Sequence, residues 1–375
     1  MWTYSKQKNL EKTILTKIPE LKLLIIFLTQ NCNCRCKMCH QWGENGWNLT
    51  SEGKSFLGHN LDLERLIELF KEIRNQKREF DLLLTGGETF LYPKIKELLE
   101  RSPNYVSFIE IITNGTFLRK YVDFFKNRKK IGIIVSIDGP PNIHNEIRGV
   151  KNIFETACSG MEMLIDYKKK TNSIYPLIEI NHTLSEYNYQ NFWDFISTLE
   201  DRFIKNGIEM NYHQLNKDAV ETYKPNSMFL NISPRWFVNK EDGLEYQKQI
   251  KKYLGCDISS KWKSLVIEKN GLESIANEIN NICHKFYEDK NLDYSNIIDM
   301  REYYLNRKNV FGHTRCLSAW ESLVIQPDGN CYFCSDFPDY SLGNLGNDSF
   351  DNIWIGKRAQ KFREVLKKQL LPVCH

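Results

Sequence analysis

The stretch TQNCNCRCKMCHQW, residues 29–42 and here called the cysteine loop, contains four cysteines within eight positions. It follows an apolar run, Lys22 to Thr29, which predicts a β-strand. Cys32, Cys36 and Cys39 have CxxxCxxC spacing, and a loop of this length can place three thiolates around one face of a cubane iron–sulfur cluster. Three protein ligands for four irons leave one iron open for a small molecule.

The spacing alone leaves other kinds of site open. A mononuclear zinc site needs a fourth ligand, which His40 or Cys34 would supply. A cluster used only for electron transfer is a second alternative. Cys32, Cys36 and Cys39 are the only set with this spacing, so we interpret Cys34 as a bystander.

Composition limits the class of protein. The 375 residues suit one barrel-sized domain with an appendage, and the net charge of +4 is too small to indicate nucleic acid as the main partner. The N-terminus has no apolar signal core, and the longest apolar run, Leu21 to Leu28, is too short to span a bilayer. We therefore expect a cytoplasmic protein with no membrane partner, in which clustered thiols bind metal or do redox work rather than form disulfides.

Strand and helix signals alternate along the first part of the chain. The predicted strands are Lys22 to Thr29, Phe80 to Thr85, Val106 to Thr113, Ile131 to Ile137, Tyr175 to Thr183 and Gly207 to Tyr212. Apolar stripes of helical period run over Leu63 to Ile73, Ile95 to Leu99, Leu118 to Phe125, Phe154 to Ile165 and Phe192 to Phe203. Six strand–helix repeats predict a parallel sheet with helices outside it, and functional groups at the carboxyl ends of the strands.

The pattern changes after residue 215. The following stretch is rich in aromatic and charged residues and is interpreted as a mostly helical insert. Ser322 to Ile325, a Pro-Asp-Gly turn and Asn330 to Phe333 predict a tight hairpin, and a helix is expected from about Gly356 to Lys368. The predicted domains are 1–215, 216–312 and 313–375.

Polar motifs follow the second and third predicted strands. In LLLTGGETFLYP, Gly86 and Gly87 permit a sharp turn and a close approach to a ligand, and Glu88 adds a carboxylate. In IITNGT, Asn114 suits a tight turn. Either motif by itself also fits an ordinary connection between a strand and a helix.

The next two predicted strands also end in polar residues. Ser136 and Asp138 alternate along the fourth strand, so both side chains project to one face. Arg148 lies in a following IRG turn, where the alternative is a surface salt bridge. Asn181 ends the fifth strand, where the alternative is a turn.

The cysteine loop and these motifs, in this order at successive strand ends, resemble the radical S-adenosylmethionine (SAM) superfamily over residues 22 to 215. The resemblance implies an α/β fold, an open (βα)6 partial TIM barrel. It implies a [4Fe–4S] cluster whose open iron binds SAM and cleaves it reductively to a 5'-deoxyadenosyl radical, which abstracts hydrogen from a substrate. It implies a low-potential electron donor such as ferredoxin or flavodoxin.

The same resemblance implies roles for individual residues. Glu88 and Arg148 are the expected catalytic residues, at the SAM ammonium and carboxylate groups respectively. The residues expected to bind SAM are Met38, Gly86, Gly87, Glu88, Asn114, Ser136, Asp138, Arg148 and Asn181. Two positions depart from the family pattern: Met38 stands where the family often has an aromatic residue, and Thr89 where it usually has proline.

The C-terminal cysteines resemble the SPASM and Twitch extensions of radical SAM enzymes, in which cysteines around an Asp-Gly hairpin bind auxiliary iron–sulfur clusters. A full SPASM domain carries seven cysteines, and this sequence lacks the middle ones. The resemblance therefore implies one auxiliary [4Fe–4S] cluster, held by Cys316, Cys334 and Cys374. The fourth ligand is left open between Cys331, His375, a residue beyond the end of this sequence and the substrate. Zinc in a small hairpin domain is the alternative.

The function expected from the sequence is that of a radical SAM oxidoreductase or maturase that modifies a peptide or protein by crosslinking, epimerisation or oxidation. The short segment before the first strand leaves no room for an upstream leader-peptide-binding domain, which weakens the peptide hypothesis. Dehydrogenation or epimerisation of a small molecule, such as a sugar or cyclitol, is the alternative. A non-catalytic iron–sulfur or zinc protein is a more remote one.

Overall fold

A computed structural model describes residues 19–54, 57–259, 261–267, 271–292, 299–306 and 315–374. The chain divides into two compact units. The first, here called the barrel unit, comprises Ile26–Leu63 and Asp81–Arg235. The second, here called the terminal unit, comprises Met1–Ile25, Glu64–Phe80 and Trp236–His375.

The elements of both units follow in chain order. The strands are β1 (Leu23–Phe27), β2 (Asp81–Thr85), β3 (Ile109–Thr113), β4 (Ile131–Ser136), β5 (Leu177–Leu184), β6 (Glu209–Asn211), β7 (Ser227–Pro234), β8 (Ser322–Ile325), β9 (Asn330–Tyr332) and β10 (Gly343–Asn344). The α-helices are α1 (Ser51–Lys54), α2 (Leu63–Asn75), α3 (Ile95–Arg101), α4 (Leu118–Phe125), α5 (Pro141–Arg148), α6 (Ile153–Thr171), α7 (Phe192–Leu199), α8 (Lys240–Leu254), α9 (Leu272–Asp289), α10 (Ser318–Glu321), α11 (Phe350–Trp354) and α12 (Lys357–Lys368). None of the helices within these ranges is long and apolar enough to cross a bilayer.

The barrel unit is built on a sheet with the strand order β1-β2-β3-β4-β5-β7-β6. Strands β2 to β5, β7 and β6 pair in parallel with their neighbours. Every strand predicted from the apolar runs is present, as are the helices predicted between them. The predicted α/β class with a parallel sheet is confirmed, because helices connect the parallel strands as a βα repeat requires.

Strand β7 was not predicted. It lies between β5 and β6, so the predicted sixth strand is at the edge of the sheet and Ser227–Pro234 takes the place beside β5. The interpretation of residues 216–312 as mostly helical was therefore wrong for this stretch. In SMFLNISP the first four residues are all buried, so no alternation of polar and apolar residues marks the strand.

The register gives the sheet two distinct faces. Ile134, Glu179 and Phe229 form one row across three strands, and Ser136, Asn181 and Asn231 form the next row toward the carboxyl ends. Because side chains alternate along a strand, both rows lie on one face, here called the inner face. On the opposite face His182 of β5 stacks on Phe195 of α7, with ring centroids 4.3 Å apart, so that face packs against helices.

The amino ends of the strands carry a closed apolar cluster. Its buried members are Phe108, Leu177, Leu215 and Phe229. Gly132 lies beneath it, since a β-carbon there would be 3.2 Å from both Leu215 Cδ1 and Phe108 Cε1. The Leu215 N–H donates to Glu179 Oε2 at 2.6 Å, so the segment after β6 is fixed to the inner face through a buried carboxyl group.

Within the terminal unit, β8, β9 and β10 pair antiparallel, which confirms the predicted hairpin. The predicted helix near the C-terminus is also present as α12. Its Arg363 is buried, donates to the carbonyl oxygens of Ala319 and Trp354 at 2.7 Å each, and lies over the Phe333 ring at 4.6 Å. This guanidinium therefore joins three elements around the hairpin.

The pH dependence of stability tests the buried carboxyl group at Glu179. Burial raises its pKa from an ordinary 4.5 to about 7. A group whose pKa is higher in the folded than in the unfolded protein stabilises the fold while the pH is below its unfolded-state pKa. That stabilisation is lost as the pH rises through its folded-state pKa. Between pH 5 and pH 8 the wild type should lose ~3 kcal/mol that Glu179→Gln keeps, because glutamine accepts the Leu215 hydrogen bond without ionising.

The measurement is the free energy of unfolding in urea at both pH values. Glu209→Gln is the matched control, because the Glu209 side chain, also on the sheet, is 42% exposed. Parallel pH curves for the wild type and Glu179→Gln would contradict the prediction.

Candidate functional site

The cysteine loop brings four thiols into one cluster. Cys34 and Cys36 are buried against Ile153, and the partly buried Cys32 and Cys39 pack against the same group. The Cys39 N–H donates to the Cys36 carbonyl at 3.0 Å, which closes the second half of the motif as a tight turn. The three predicted ligands are thus adjacent in the fold as well as in the sequence.

Cys34 differs from its neighbours in its electrostatic environment. Its thiol forms hydrogen bonds with Cys32 and Cys36, which raise its pKa far above the ordinary value. The Asn114 amide donates to its sulfur at 3.2 Å. The pKa of Cys36 is shifted in the opposite direction. The hydrogen bond from Cys34 and then the charge of Arg148 lower it to about 6. Since the thiolate is the metal-binding form, the lowered pKa of Cys36 suits a ligand.

The Gly-Gly-Glu turn after β2 is hydrogen-bonded to the start of the cysteine loop. The Gly87 N–H donates to the Thr29 carbonyl, and the Glu88 N–H to the Asn31 carbonyl, at 2.8 Å each. A β-carbon at Gly86, which has a φ of +136°, would be 2.4 Å from the Thr29 oxygen, and one at Gly87 would be 2.1 Å from the Asn31 oxygen. The close approach that the glycines permit is therefore made to the cysteine-loop backbone.

Glu88 is almost completely buried, at 1% exposure. Its carboxylate accepts from the Asn114 N–H and the Thr113 hydroxyl at 2.8 Å each, and from the Phe90 N–H at 3.1 Å. Burial raises the pKa of Glu88, and these hydrogen bonds oppose that rise. Both oxygens thus join the ends of β2 and β3, while the role of Glu88 toward SAM stays a prediction.

Helix α5 carries Arg148 at its end, where the sequence predicted a turn. Pro141 occupies the first turn of the helix, where a missing N–H costs nothing. The end of the helix meets the cysteine loop: the Arg35 N–H donates to the Arg148 carbonyl at 3.0 Å, and the Lys37 N–H to the Ile147 carbonyl at 2.9 Å. These bonds flank Cys36 on both sides.

Arg148 and Asp138 form an ion pair, with side-chain exposures of 12% and 0%. The sequence left a surface salt bridge as the alternative role of Arg148. Arg148 does form a salt bridge, but the pair is buried rather than on the surface. Arg148 Nη1 also lies 3.5 Å from Cys36 Sγ. Asp138 Oδ1 accepts from the Thr183 N–H at 3.1 Å, which fixes the carboxylate at the end of β5.

The row Ser136, Asn181 and Asn231 places polar side chains side by side on the inner face. Asn231 Nδ2 donates to Asn181 Oδ1 at 2.9 Å. The sequence analysis did not identify Asn231, because it did not predict strand β7. The one sequence feature that could have indicated this residue is an asparagine among apolar residues. Met38 is half-buried in the cysteine loop.

Two further residues that sequence reasoning missed hold Asp138. The Asp138 N–H donates to His144 Nδ1, and Asn188 Nδ2 donates to the Asp138 carbonyl, at 3.0 Å each. Both contacts join residues that no local pattern relates to Asp138, so no sequence signal identifies them.

In the terminal unit, Cys316 and Cys374 lie close enough to Cys334 for their charges to act on it. Burial, then Asp336, then the charges of Cys374 and Cys316 raise the pKa of Cys334 well above its ordinary value. Cys331 is buried in β9, with its sulfur 3.5 Å from the Gly329 carbonyl. His375 lies outside the described residues. The three thiols predicted as auxiliary ligands are therefore grouped, while Cys331 contacts the hairpin turn.

Over the part of the chain that the structure describes, no three His, Cys, Asp or Glu side chains are placed to hold a single metal ion. A mononuclear zinc site needs such a convergence of side chains. A cubane instead puts iron and sulfide between its thiolates, and two sets of three thiols suit that donor chemistry. Both sets of cysteines therefore have the donor chemistry of an iron–sulfur site.

Comparison with known families agrees with this donor chemistry. The radical SAM superfamily matches residues 26–194, and the SPASM family, an iron–sulfur cluster-binding domain, matches residues 316–375. The chain therefore contains a radical SAM domain and, after it, a SPASM domain. The cofactors of these two domains are a [4Fe–4S] cluster, SAM and auxiliary iron–sulfur clusters. The family and the cofactors inferred from the sequence are confirmed.

Curated relatives match the chain to different extents. The antilisterial bacteriocin subtilosin biosynthesis protein AlbA of Bacillus subtilis is 23% identical over 89% of this chain and 59% of its own length. The sporulation killing factor maturation protein SkfB of the same organism is 26% identical over 45% of this chain and 37% of its own. A probable GTP 3',8-cyclase of Pyrococcus abyssi is 26% identical over 52% of this chain and 69% of its own. The chain spans less than two thirds of AlbA.

Solved structures share the fold. Streptococcus suis SuiB bound to S-adenosylmethionine superposes with a TM-score of 0.56 at 14% identity, over 95% of this chain and 73% of that one. Native anSMEcpe with bound AdoMet superposes with a TM-score of 0.55 at 17% identity, over 91% of this chain and 83% of that one. At this identity the likeness establishes the fold, and it confirms the predicted radical SAM partial barrel.

Gly87→Ala tests the contact between the Gly-Gly-Glu turn and the cysteine loop. The added β-carbon would be 2.1 Å from the Asn31 carbonyl oxygen, so the turn and the loop must separate. We expect the free energy of unfolding of the metal-free protein to fall by ~1–3 kcal/mol, as overpacking typically costs. Gly346→Ala is the matched control, because its β-carbon meets only the Asn344 side chain, at 3.1 Å. Equal losses in the two variants would contradict the prediction.

Proposed function

We propose that this chain is a radical SAM enzyme that modifies a peptide or protein. The observation that carries the proposal is the match to AlbA, which spans 89% of the chain. The match to the GTP 3',8-cyclase covers only 52%. AlbA takes its name from bacteriocin biosynthesis and SkfB from maturation of a killing factor, and SuiB has been solved with the precursor peptide SuiA. These relatives support a peptide substrate over a sugar or cyclitol.

The SAM-binding cluster is assigned to Cys32, Cys36 and Cys39. When bound, the cluster and SAM supply a 5'-deoxyadenosyl radical that removes a hydrogen atom from the substrate. The grouped thiols and the lowered pKa of Cys36 support this assignment. Cys34 lies beside them but outside the CxxxCxxC spacing, and it is not assigned as a ligand.

SAM is assigned to the carboxyl ends of the strands next to the cysteine loop. The proposed binding residues are Met38, Gly86, Gly87, Glu88, Asn114, Ser136, Asp138, Arg148 and Asn181, with Asn231 added. Ser136, Asn181 and Asn231 offer a row of hydroxyl and amide groups suited to a polar ribose. Glu88 and Asp138 also contact protein groups, so besides their proposed place at SAM they hold the Asn114 backbone and Arg148 in position.

One auxiliary cluster is assigned to Cys316, Cys334 and Cys374, supported by their electrostatic coupling. The proposed partners are a peptide substrate and a low-potential donor such as ferredoxin or flavodoxin, because radical formation consumes an electron. Thiolate ligands need reducing surroundings, so we propose the cytoplasm as the compartment.

Anaerobic reconstitution tests the assignment. The wild type should bind iron and sulfide for two [4Fe–4S] clusters and, with dithionite and SAM, should form 5'-deoxyadenosine. Single alanine variants of Cys32, Cys36 and Cys39 should lose product formation and about half of the iron, since each ligand is required. The matched variant Cys34→Ala should keep both.

The cysteines of the terminal unit provide the complementary set of variants. Alanine variants of Cys316, Cys334 and Cys374 should lose the other half of the iron while the first cluster remains. Bound zinc, or no 5'-deoxyadenosine from the loaded wild type, would overturn the proposal. The peptide assignment is tested by mass spectrometry on short peptides encoded beside the gene. A mass change that needs both SAM and Cys36 would support it, and turnover of a sugar or cyclitol alone would contradict it.

A further inference from the structure

The contact between Arg148, Asp138 and Cys36 has a consequence for electron transfer. Arg148 donates toward the Cys36 sulfur at 3.5 Å through Nη1 and pairs with Asp138 through Nη2. Resting on the proposed function, which makes Cys36 a cluster ligand, we propose that this ion pair sets the reduction potential of the SAM-binding cluster. The role is separate from any contact with SAM, so it is present in the SAM-free protein.

The physical basis is the charge of the cluster. One-electron reduction takes [4Fe–4S]2+ to [4Fe–4S]1+, so the reduced form is favoured by nearby positive charge and by hydrogen bonds to the ligating sulfurs. Arg148 supplies both. With side-chain exposures of 12% and 0%, the pair acts where water screens charge only weakly.

The backbone holds Arg148 against Cys36. The hydrogen bonds from Arg35 and Lys37 to the last carbonyls of α5 flank Cys36 in the sequence, so the helix end and the loop are joined on both sides of this cysteine. Gly149 completes the helix end with a φ of +68°. The guanidinium is thus positioned by main-chain contacts that do not depend on SAM.

Asp138 offsets the guanidinium charge. Its carboxylate acts on Cys36 with the opposite sign to Arg148. It is fixed by the Thr183 N–H and, through its own backbone, by His144 and Asn188. The two charges therefore predict opposite effects: loss of Arg148 lowers the potential, and loss of Asp138 raises it.

The test is a potentiometric EPR titration of the reconstituted full chain without SAM, with dithionite as the one-electron reductant. The relevant cluster is identified by the spectral change that SAM causes in a parallel sample. Arg148→Gln should lower the ratio of reduced to oxidised cluster at a fixed potential at least tenfold, which is ~59 mV for one electron. Asp138→Asn, which keeps an acceptor for Thr183, should raise that ratio.

Lys37→Gln is the matched control. It removes a positive charge next to Cys36 in the sequence, but that ammonium pairs with Glu146 and its side chain is 34% exposed. Its shift should be less than threefold. Arg148→Lys keeps the charge without the planar fork and should fall between the wild type and Arg148→Gln. If Arg148→Gln does not load a cluster, the inference is tested by the other two variants. It then requires a lower reduction potential in Arg148→Lys and a higher one in Asp138→Asn.

Equal reduction potentials in the loaded wild type, Arg148→Gln and Asp138→Asn would overturn the inference. If the wild type still formed 5'-deoxyadenosine, the proposed function would stand. A weaker SAM affinity in Arg148→Gln with an unchanged potential would overturn it in favour of a carboxylate contact alone. Absence of the cluster from the wild type would overturn both proposals together.

Discussion

The site depends on two backbone hydrogen bonds, from Gly87 to Thr29 and from Glu88 to Asn31. They set where the cysteine loop begins, because glycine alone lets the two backbones approach this closely. Glu88 then ties the same turn to the end of β3 through Asn114, and Asn114 reaches the Cys34 sulfur. The position of the cysteines thus follows from hydrogen bonds between strand ends.

A second set of contacts comes from the other side of the loop. Helix α5 ends against Arg35 and Lys37, and its last residue carries a buried positive charge to Cys36. A buried charge is costly unless it is paired, and Asp138 provides the pair. The loop is therefore held by main-chain bonds on two sides, while a single ion pair adjusts the electrostatics of the sulfur.

Much of this arrangement could be predicted from the sequence. The apolar runs predicted six of the strands along the chain, and the spacing of Cys32, Cys36 and Cys39 predicted a cluster loop. The pairing of Arg148 with Asp138 and the inward hydrogen bonds of Glu88 could not be predicted, because both depend on contacts between segments distant in the sequence. Strand β7 was missed because its first four residues are all buried and show no polar alternation.

The order of strands along the edge of the sheet also bears on how the chain assembles. Strand β6 pairs with β7 and is separated by it from β5. Among the described strands, Glu209–Asn211 therefore has no partner in the sheet until Ser227–Phe229 has been synthesised. During synthesis from the N-terminus, the three-residue strand β6 emerges before its partner β7. The loop between the two strands must close before they can pair, which delays pairing. At this edge of the sheet, the strand that comes first in the chain thus lies outside the strand that follows it.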